Sequence, residues 1–265
     1  MKNFDVKKLI IAVVVIVLII LLVVLLGKNG KDNSVSKKDI ENYQPLIVDY
    51  YTKLTEGANT PYNGIELLYT YDEIKTKDLT PKQLIATAIR YINLTKSATD
   101  MDSESIKVHY GTQYPDVLTA RLYNASDIRK ALKELFDIDE FSNQTTESEF
   151  TSPTAYTYLA EADIYIVTTN TDYTSYVSDK QFMDFSTIST EAKDGKIVST
   201  VAVAYCYQDN DGTSCATDKE GTNIVAKNVD GFPKDHIDNF DKFEFTMKKS
   251  KDGKSFVFES VKKVK

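Results

Sequence analysis

The run LIIAVVVIVLIILLVVLL, Leu9 to Leu26, constrains the chain most: it is uninterruptedly apolar, with no charge and no helix breaker. As a helix rising about 1.5 Å per residue it spans roughly 27 Å, close to the hydrocarbon thickness of a bilayer. A helix buried in a globular core is rarely this uniformly apolar. A secretory signal has a shorter apolar region closed by small residues at a cleavage site. This run ends instead in Gly27-Lys28-Asn29-Gly30, with no A-x-A-like site and no cysteine directly behind it for lipid attachment. The sequence therefore predicts an uncleaved anchor whose partner is the lipid bilayer, contacted through Leu9 to Leu26.

Lysines flank the run almost evenly, with Lys2, Lys7 and Lys8 before it and Lys28, Lys31, Lys37 and Lys38 after it. A long downstream domain translocates largely regardless of its charges. The expected topology is a short cytoplasmic tail (1–8), a transmembrane helix (9–26), a polar tether (27–38) and an extracytoplasmic domain (39–265), placing the protein as single-pass in the cell membrane. The net charge of -7 argues against nucleic acid as a partner, since that demands a concentrated basic surface. A bias toward Lys, Asn, Asp, Ile and Thr fits an AT-rich bacterial genome.

Within the domain, residues 39–150 read as helix-rich. Ser36 followed by Asp39 has cap spacing, and Ile40, Tyr43, Ile47, Tyr50, Tyr51 and Leu54 recur near helical period. Pro45 interrupts that run and predicts either a kink or a later start. Thr80-Pro81-Lys82-Gln83 is a helix-start signal, with a capping hydroxyl, proline at the first position and a return glutamine. Leu84, Ile85, Ala88, Ile89 and Ile92 form the stripe behind it. A further helix is expected from Ser126 or Asp127 to Phe136.

Residues 151–265 switch to alternation. TAYTYLAEADIYIVTT reads as one long strand with Tyr156, Tyr158, Ala160, Ala162, Ile164 and Ile166 on one face. Phe182 to Thr190 and Lys196 to Gln208 flank the hairpin turn Lys193-Asp194-Gly195. Phe243, Phe245 and Met247 alternate before Lys251-Asp252-Gly253 turns the chain into Phe256 and Phe258. Helices first and hairpins afterwards give an α+β class, with helices packed on a mainly antiparallel sheet. This order resembles cystatin-like or NTF2-like cone folds, and at the level of architecture the single-pass, sheet-bearing assembly subunits of bacterial secretion and division machines.

Both cysteines lie in CYQDNDGTSC, Cys206 to Cys215. A strand followed by Asp-x-Asp-Gly-Thr resembles the first motif of haloacid-dehalogenase-like phosphatases, which implies a nucleophilic Asp209 with Asp211 and Thr213 beside it. That resemblance covers the motif alone; such an enzyme needs a large parallel α/β domain after it, and the remaining residues read as strands. A calcium loop counted from Asp209 would use Asp211, Thr213 and Glu220, but Ser214 stands where such a loop requires glycine. The third reading is a disulfide, Cys206 to Cys215, across the turn that Asp-Asn-Asp-Gly favours, in keeping with an oxidising exterior.

Glu161 and Asp163, on one face of the expected long strand, would place two carboxylates about 7 Å apart, a separation suited to an inverting glycoside hydrolase. Asp137, Asp139 and Glu140 read as a solvated helix end. His109 and His236 have no metal-ligand spacing around them, and no P-loop, zincin, dinucleotide or nucleophile-elbow motif is present. No cofactor is expected. Two functions follow: a non-enzymatic, membrane-anchored binding or assembly module whose partner is another membrane or envelope protein, and a tethered hydrolase of cell-wall polymer or peptide using Glu161 and Asp163.

Overall fold

A computed structural model describes residues 34–49, 51, 67–95, 121–148, 154–169, 181–209, 212–218 and 220–264. The segment Leu9 to Leu26 lies outside them, and among the described residues no helix is long and apolar enough to cross a membrane. Contacts divide the chain into two units, Met1–Val35 and Ser36–Lys265. The second unit is a mixed α+β domain with few helices and a mainly antiparallel sheet.

Helix α1, Lys37–Asp49, starts where Ser36 and Asp39 cap each other. The Asp39 amide donates to Ser36 Oγ at 3.1 Å, and the Ser36 amide donates to Asp39 Oδ2 at 2.9 Å. That reciprocal cap settles the start at Lys37, and the helix runs on through Pro45. After the short α2, Leu67–Thr70, helix α3, Pro81–Thr95, opens on the same device. The Gln83 amide donates to Thr80 Oγ1 at 3.2 Å and the Thr80 amide to Gln83 Oε1 at 3.0 Å. Helix α4, Ala125–Phe136, buries Ile128, Ala131, Leu132, Leu135 and Phe136.

The strands are β1 (Glu73–Lys75), β2 (Arg121–Asn124), β3 (Thr154–Leu159), β4 (Ile164–Thr169), β5 (Gln181–Lys193), β6 (Lys196–Asp209), β7 (Gly212–Ala216), β8 (Ile224–Lys227), β9 (Asp241–Lys249) and β10 (Phe256–Val264). The large sheet runs β1-β10-β9-β6-β7-β8, with β5 also on β6. One side of β6 takes β5 along nearly its whole length. The other side takes β9 against Ile197–Val203 and β7 against Tyr205–Asp209. Asp194 (φ 51°) and Gly195 (φ 73°) both take the left-handed conformation a two-residue hairpin turn requires.

Ile197, Val201 and Val203 share a buried sheet face with Phe243, Phe245 and Met247. Helices cover that face: Tyr51 and Phe136 both meet the ring of Phe258, at centroid separations of 5.0 and 6.0 Å, and Tyr43 meets Phe256 at 5.3 Å. The opposite face of β6 bears Ala202, Ala204 and Cys206. With Cys215 and Phe240 these form a second, smaller core, closed over by Val225, Val229, Phe232 and Ile237.

One sequence expectation is corrected. TAYTYLAEADIYIVTT is a hairpin, with Leu159 opposite Ile164 and the chain reversing through Ala160–Asp163. Together with β2 it makes a separate three-stranded sheet, β2-β4-β3. No glycine or proline marks the turn. Asp163 supplies its left-handed residue (φ 51°), a role aspartate tolerates better than most side chains, so the alternation continues unbroken through the reversal.

Candidate functional site

The hairpin at the end of β6 brings the cysteines together. Cys206 stands directly opposite Cys215, the two are bonded, and their Cα atoms are 4.1 Å apart. Both are buried in the small core, at 1 % and 0 % exposure. Asp209 pairs with Gly212 across the turn, while Asp211 lies outside the described residues. Gly212 adopts φ 122°, and a Cβ there would come within 2.9 Å of Asn228 Oδ1, so the position is restricted to glycine. Beyond it β7 carries the chain about 13 Å before the turn holding the exposed Glu220. That turn is built by Asp218, whose carboxylate accepts from the amides of Thr222 (2.9 Å) and Asn223 (2.7 Å).

Glu161 and Asp163 occupy the β3–β4 turn rather than a strand face. Glu161 is exposed. Asp163 is engaged on both oxygens: Arg129 donates to Oδ1 at 3.1 Å and to Oδ2 at 2.7 Å, and the Tyr158 hydroxyl donates to Oδ1 at 2.9 Å. The Arg129 guanidinium holds its carboxyl below the usual range, outweighing the opposing effect of partial burial, and Tyr158 adds to the lowering. The Asp163 carbonyl also accepts the Ala125 amide at 2.9 Å, so this aspartate fastens the small sheet to the start of α4. A general acid needs a raised pKa; Asp163 is shifted the other way.

A second cluster was not legible in the sequence. Asp137, at the left-handed end of α4 (φ 58°), is buried, and its Oδ2 accepts the Lys251 amide of the β9–β10 turn at 2.6 Å. Lys133 donates to both Asp137 and Asp139, and the Lys251 ammonium donates to Asp139 at 2.7 Å. The run Asp137, Asp139, Glu140 is therefore only partly a solvated helix end; its first two acids bind α4 to the sheet. Lys133 and Asp137 have the local i,i+4 spacing, but Lys251 lies more than a hundred positions away and no local spacing announces it.

Burial pushes the Asp137 carboxyl up, but the Lys133 ammonium and Lys251 amide outweigh it and leave the pKa lowered. The same two lysines bring the exposed Asp139 down to about 2. A depressed folded-state pKa contributes stability that is fully present above the unfolded value, about 3.9 for aspartate, and is lost as pH falls through the folded value. Urea midpoints should therefore drop between about pH 4 and pH 2. Asp137→Asn, which keeps an acceptor for Lys251 and tolerates the left-handed backbone, should flatten part of that drop. An unchanged acid profile in the variant would remove Asp137 from this role.

A cleft beside β1, β9 and β10 is lined by Asp72, Asp238, Asp241, Lys242, Lys262 and Lys263. Its charges are largely engaged: Lys263 with Asp241 at 2.7 Å, Lys262 with Glu244 at 3.3 Å, and Lys242 Nζ on the Asp238 carbonyl at 3.2 Å. His236 sits on a 3-10 turn, Lys234–Asn239, and His109 lies outside the described residues. Among the described residues no three His, Cys, Asp or Glu side chains gather as a metal site.

A different kind of surface is offered by β5. Among the described residues it pairs with β6 alone, and Phe182 and Ile188 on it are 38 % and 43 % exposed. Compared with known proteins, the chain matches no family model, no curated protein and no solved structure.

Proposed function

We propose that this protein is a single-pass, membrane-anchored module whose outward-facing domain binds another protein rather than catalysing a reaction. The observation that carries the reading is the outer edge of β5, a thirteen-residue strand that among the described residues pairs with β6 alone and bears two exposed apolar side chains. A free edge is a ready template for a further strand. The buried Cys206–Cys215 bond supports an oxidising location, and the apolar run Leu9 to Leu26 supports the anchor. Helices meeting one sheet face at Phe256 and Phe258 support a cone-type fold of the cystatin or NTF2 kind. The hydrolase alternative has less behind it, because Asp163 is held ionised by Arg129 and stands in a structural turn.

The test is photo-crosslinking in intact membranes, with the reactive residue placed at Phe182 on β5 or at the exposed Lys77, just past β1 at the other end of the strand order. Protein adducts should concentrate at Phe182, and protease outside the cell should digest the domain. Turnover of wall polymer or peptide by the purified protein, abolished by Glu161→Gln, would replace this reading with the hydrolase.

A further inference from the structure

We infer that the occupant of the β5 edge is β5 of a second copy of this chain, paired antiparallel about a two-fold axis between Ile188 and Ser189; this rests on the binding-module reading above. The backbone selects the register. The two-residue turn makes Lys193 and Lys196 a hydrogen-bonded pair, after which inward and outward residues alternate. Glu191 and Ser189 thus bond toward β6, while Ala192 and Thr190 present their amides and carbonyls outward. Ile188 is an extra residue, unpaired with β6 between Thr187 and Ser189, and it shifts the alternation by one. Beyond it Thr187, Phe185 and Met183 are the outward residues. The Phe185 amide agrees with this parity: it is met by the neighbouring Asp184 Oδ1, at 2.8 Å.

When a strand pairs with its own copy, outward residues must face outward residues. Four registers achieve this with two outward pairs, each twice over; the two that use Gln181 oppose Asp184 to Ser189 or to itself and gain no ion pair, which leaves two. One sets Thr187 opposite Thr190 and Phe185 opposite Ala192 of the second copy, twice over by symmetry. The other sets Phe185 opposite Thr190 and Met183 opposite Ala192. Charge decides between them, because like charges directly opposite are destabilising and unlike charges favourable. The second register opposes Asp184 to Glu191. The first opposes Asp184 to Lys193, once on each side of the axis, and leaves Glu191 opposite Ser186. It also brings the exposed Ile188 of each copy beside the axis, where an isologous contact buries both. In the free chain Asp184 covers the Phe185 amide; on pairing, that amide takes a carbonyl of the second copy and the carboxylate turns to Lys193.

The register is tested on the full chain in its membrane with Ile188→Cys, since both native cysteines are buried in their own bond. Mild oxidation should give a disulfide-linked species of twice the mass, and Lys234→Cys should not. Adding Asp184→Lys should abolish the doubled species, and adding Lys193→Asp to that variant should restore it. Restoration also shows that the charge-changed chains fold. Absence of the doubled species, or its indifference to Asp184→Lys, overturns the proposal. A link from Ile188→Cys to a different polypeptide overturns the second copy as occupant while leaving the binding-module reading intact.

Discussion

Phe258→Ala should lower the unfolding free energy by about 3–5 kcal/mol, the range for deleting a fully buried phenylalanine. Phe258 has no exposed surface and sits on β10, where the sheet meets its helices. Its ring contacts Tyr51 at 5.0 Å and Phe136 edge-on at 6.0 Å, with an interplanar angle of 85°. One truncation therefore removes the transfer energy of the ring, two aromatic contacts worth roughly 0.5–1.5 kcal/mol each, and the filling of a junction that three elements share. Tyr51 cannot swing in to fill the space without releasing its hydroxyl, which donates to the Leu135 carbonyl at 3.0 Å. The chain has no tryptophan and 17 tyrosines, so urea unfolding can be followed by tyrosine fluorescence. Phe182→Ala on the exposed strand is the comparison and should change stability by no more than about 0.5 kcal/mol. A Phe258→Ala midpoint close to wild type, at unchanged m-value, would mean the junction is not part of the cooperative core.

What the sequence disclosed and what it withheld divide along physical lines. Ser36–Asp39 and Thr80–Gln83 are local caps, formed between residues three apart, and both are legible as strings. The Asp194-Gly195 turn is legible for the same reason, and so is the alternation of Phe243, Phe245 and Met247. β1, at three residues, is too short to show a period. β4 is buried along most of its length, so its partition from β3 leaves no polar face to mark it. Two long-range fastenings, Asp163 to Arg129 and Asp137 to Lys251, join residues 34 and 114 positions apart. Charges of this kind look like ordinary surface charges until the chain is folded, which is why Glu161 and Asp163 read as a pair on a strand face, whereas both stand in a turn and Asp163 is taken by Arg129 and Tyr158. The cysteine pair was accessible because its loop is short and its turn residues are explicit.

That pair carries the other large expectation. Replacing Cys206 and Cys215 together by alanine should lower stability by about 2–5 kcal/mol. Closing a ten-residue loop accounts for roughly 3 kcal/mol of this in the chain-entropy model. The remainder comes from the site: both cysteines are buried against Ala202, Ala204 and Phe240, and alanine leaves the volume of two sulfurs unfilled. The loss should also be uneven. Among the described residues β7 joins the large sheet only against the last residues of β6, Tyr205 to Asp209, and β8 joins only through β7. Ile197 to Val203, by contrast, is held on both sides by β5 and β9. Hydrogen exchange in the double variant should therefore rise across 205–240 and remain slow in the strand segments 197–203, 243–249 and 256–261. Because the bond is buried, reductant should act on the native protein only as fast as this corner opens, and denaturant should accelerate it. Uniform loss of protection over the whole domain would show that the bond stabilises the fold as one unit. Two free thiols in protein taken from its native compartment would remove the staple, and with it the support the bond lends to an outward-facing domain.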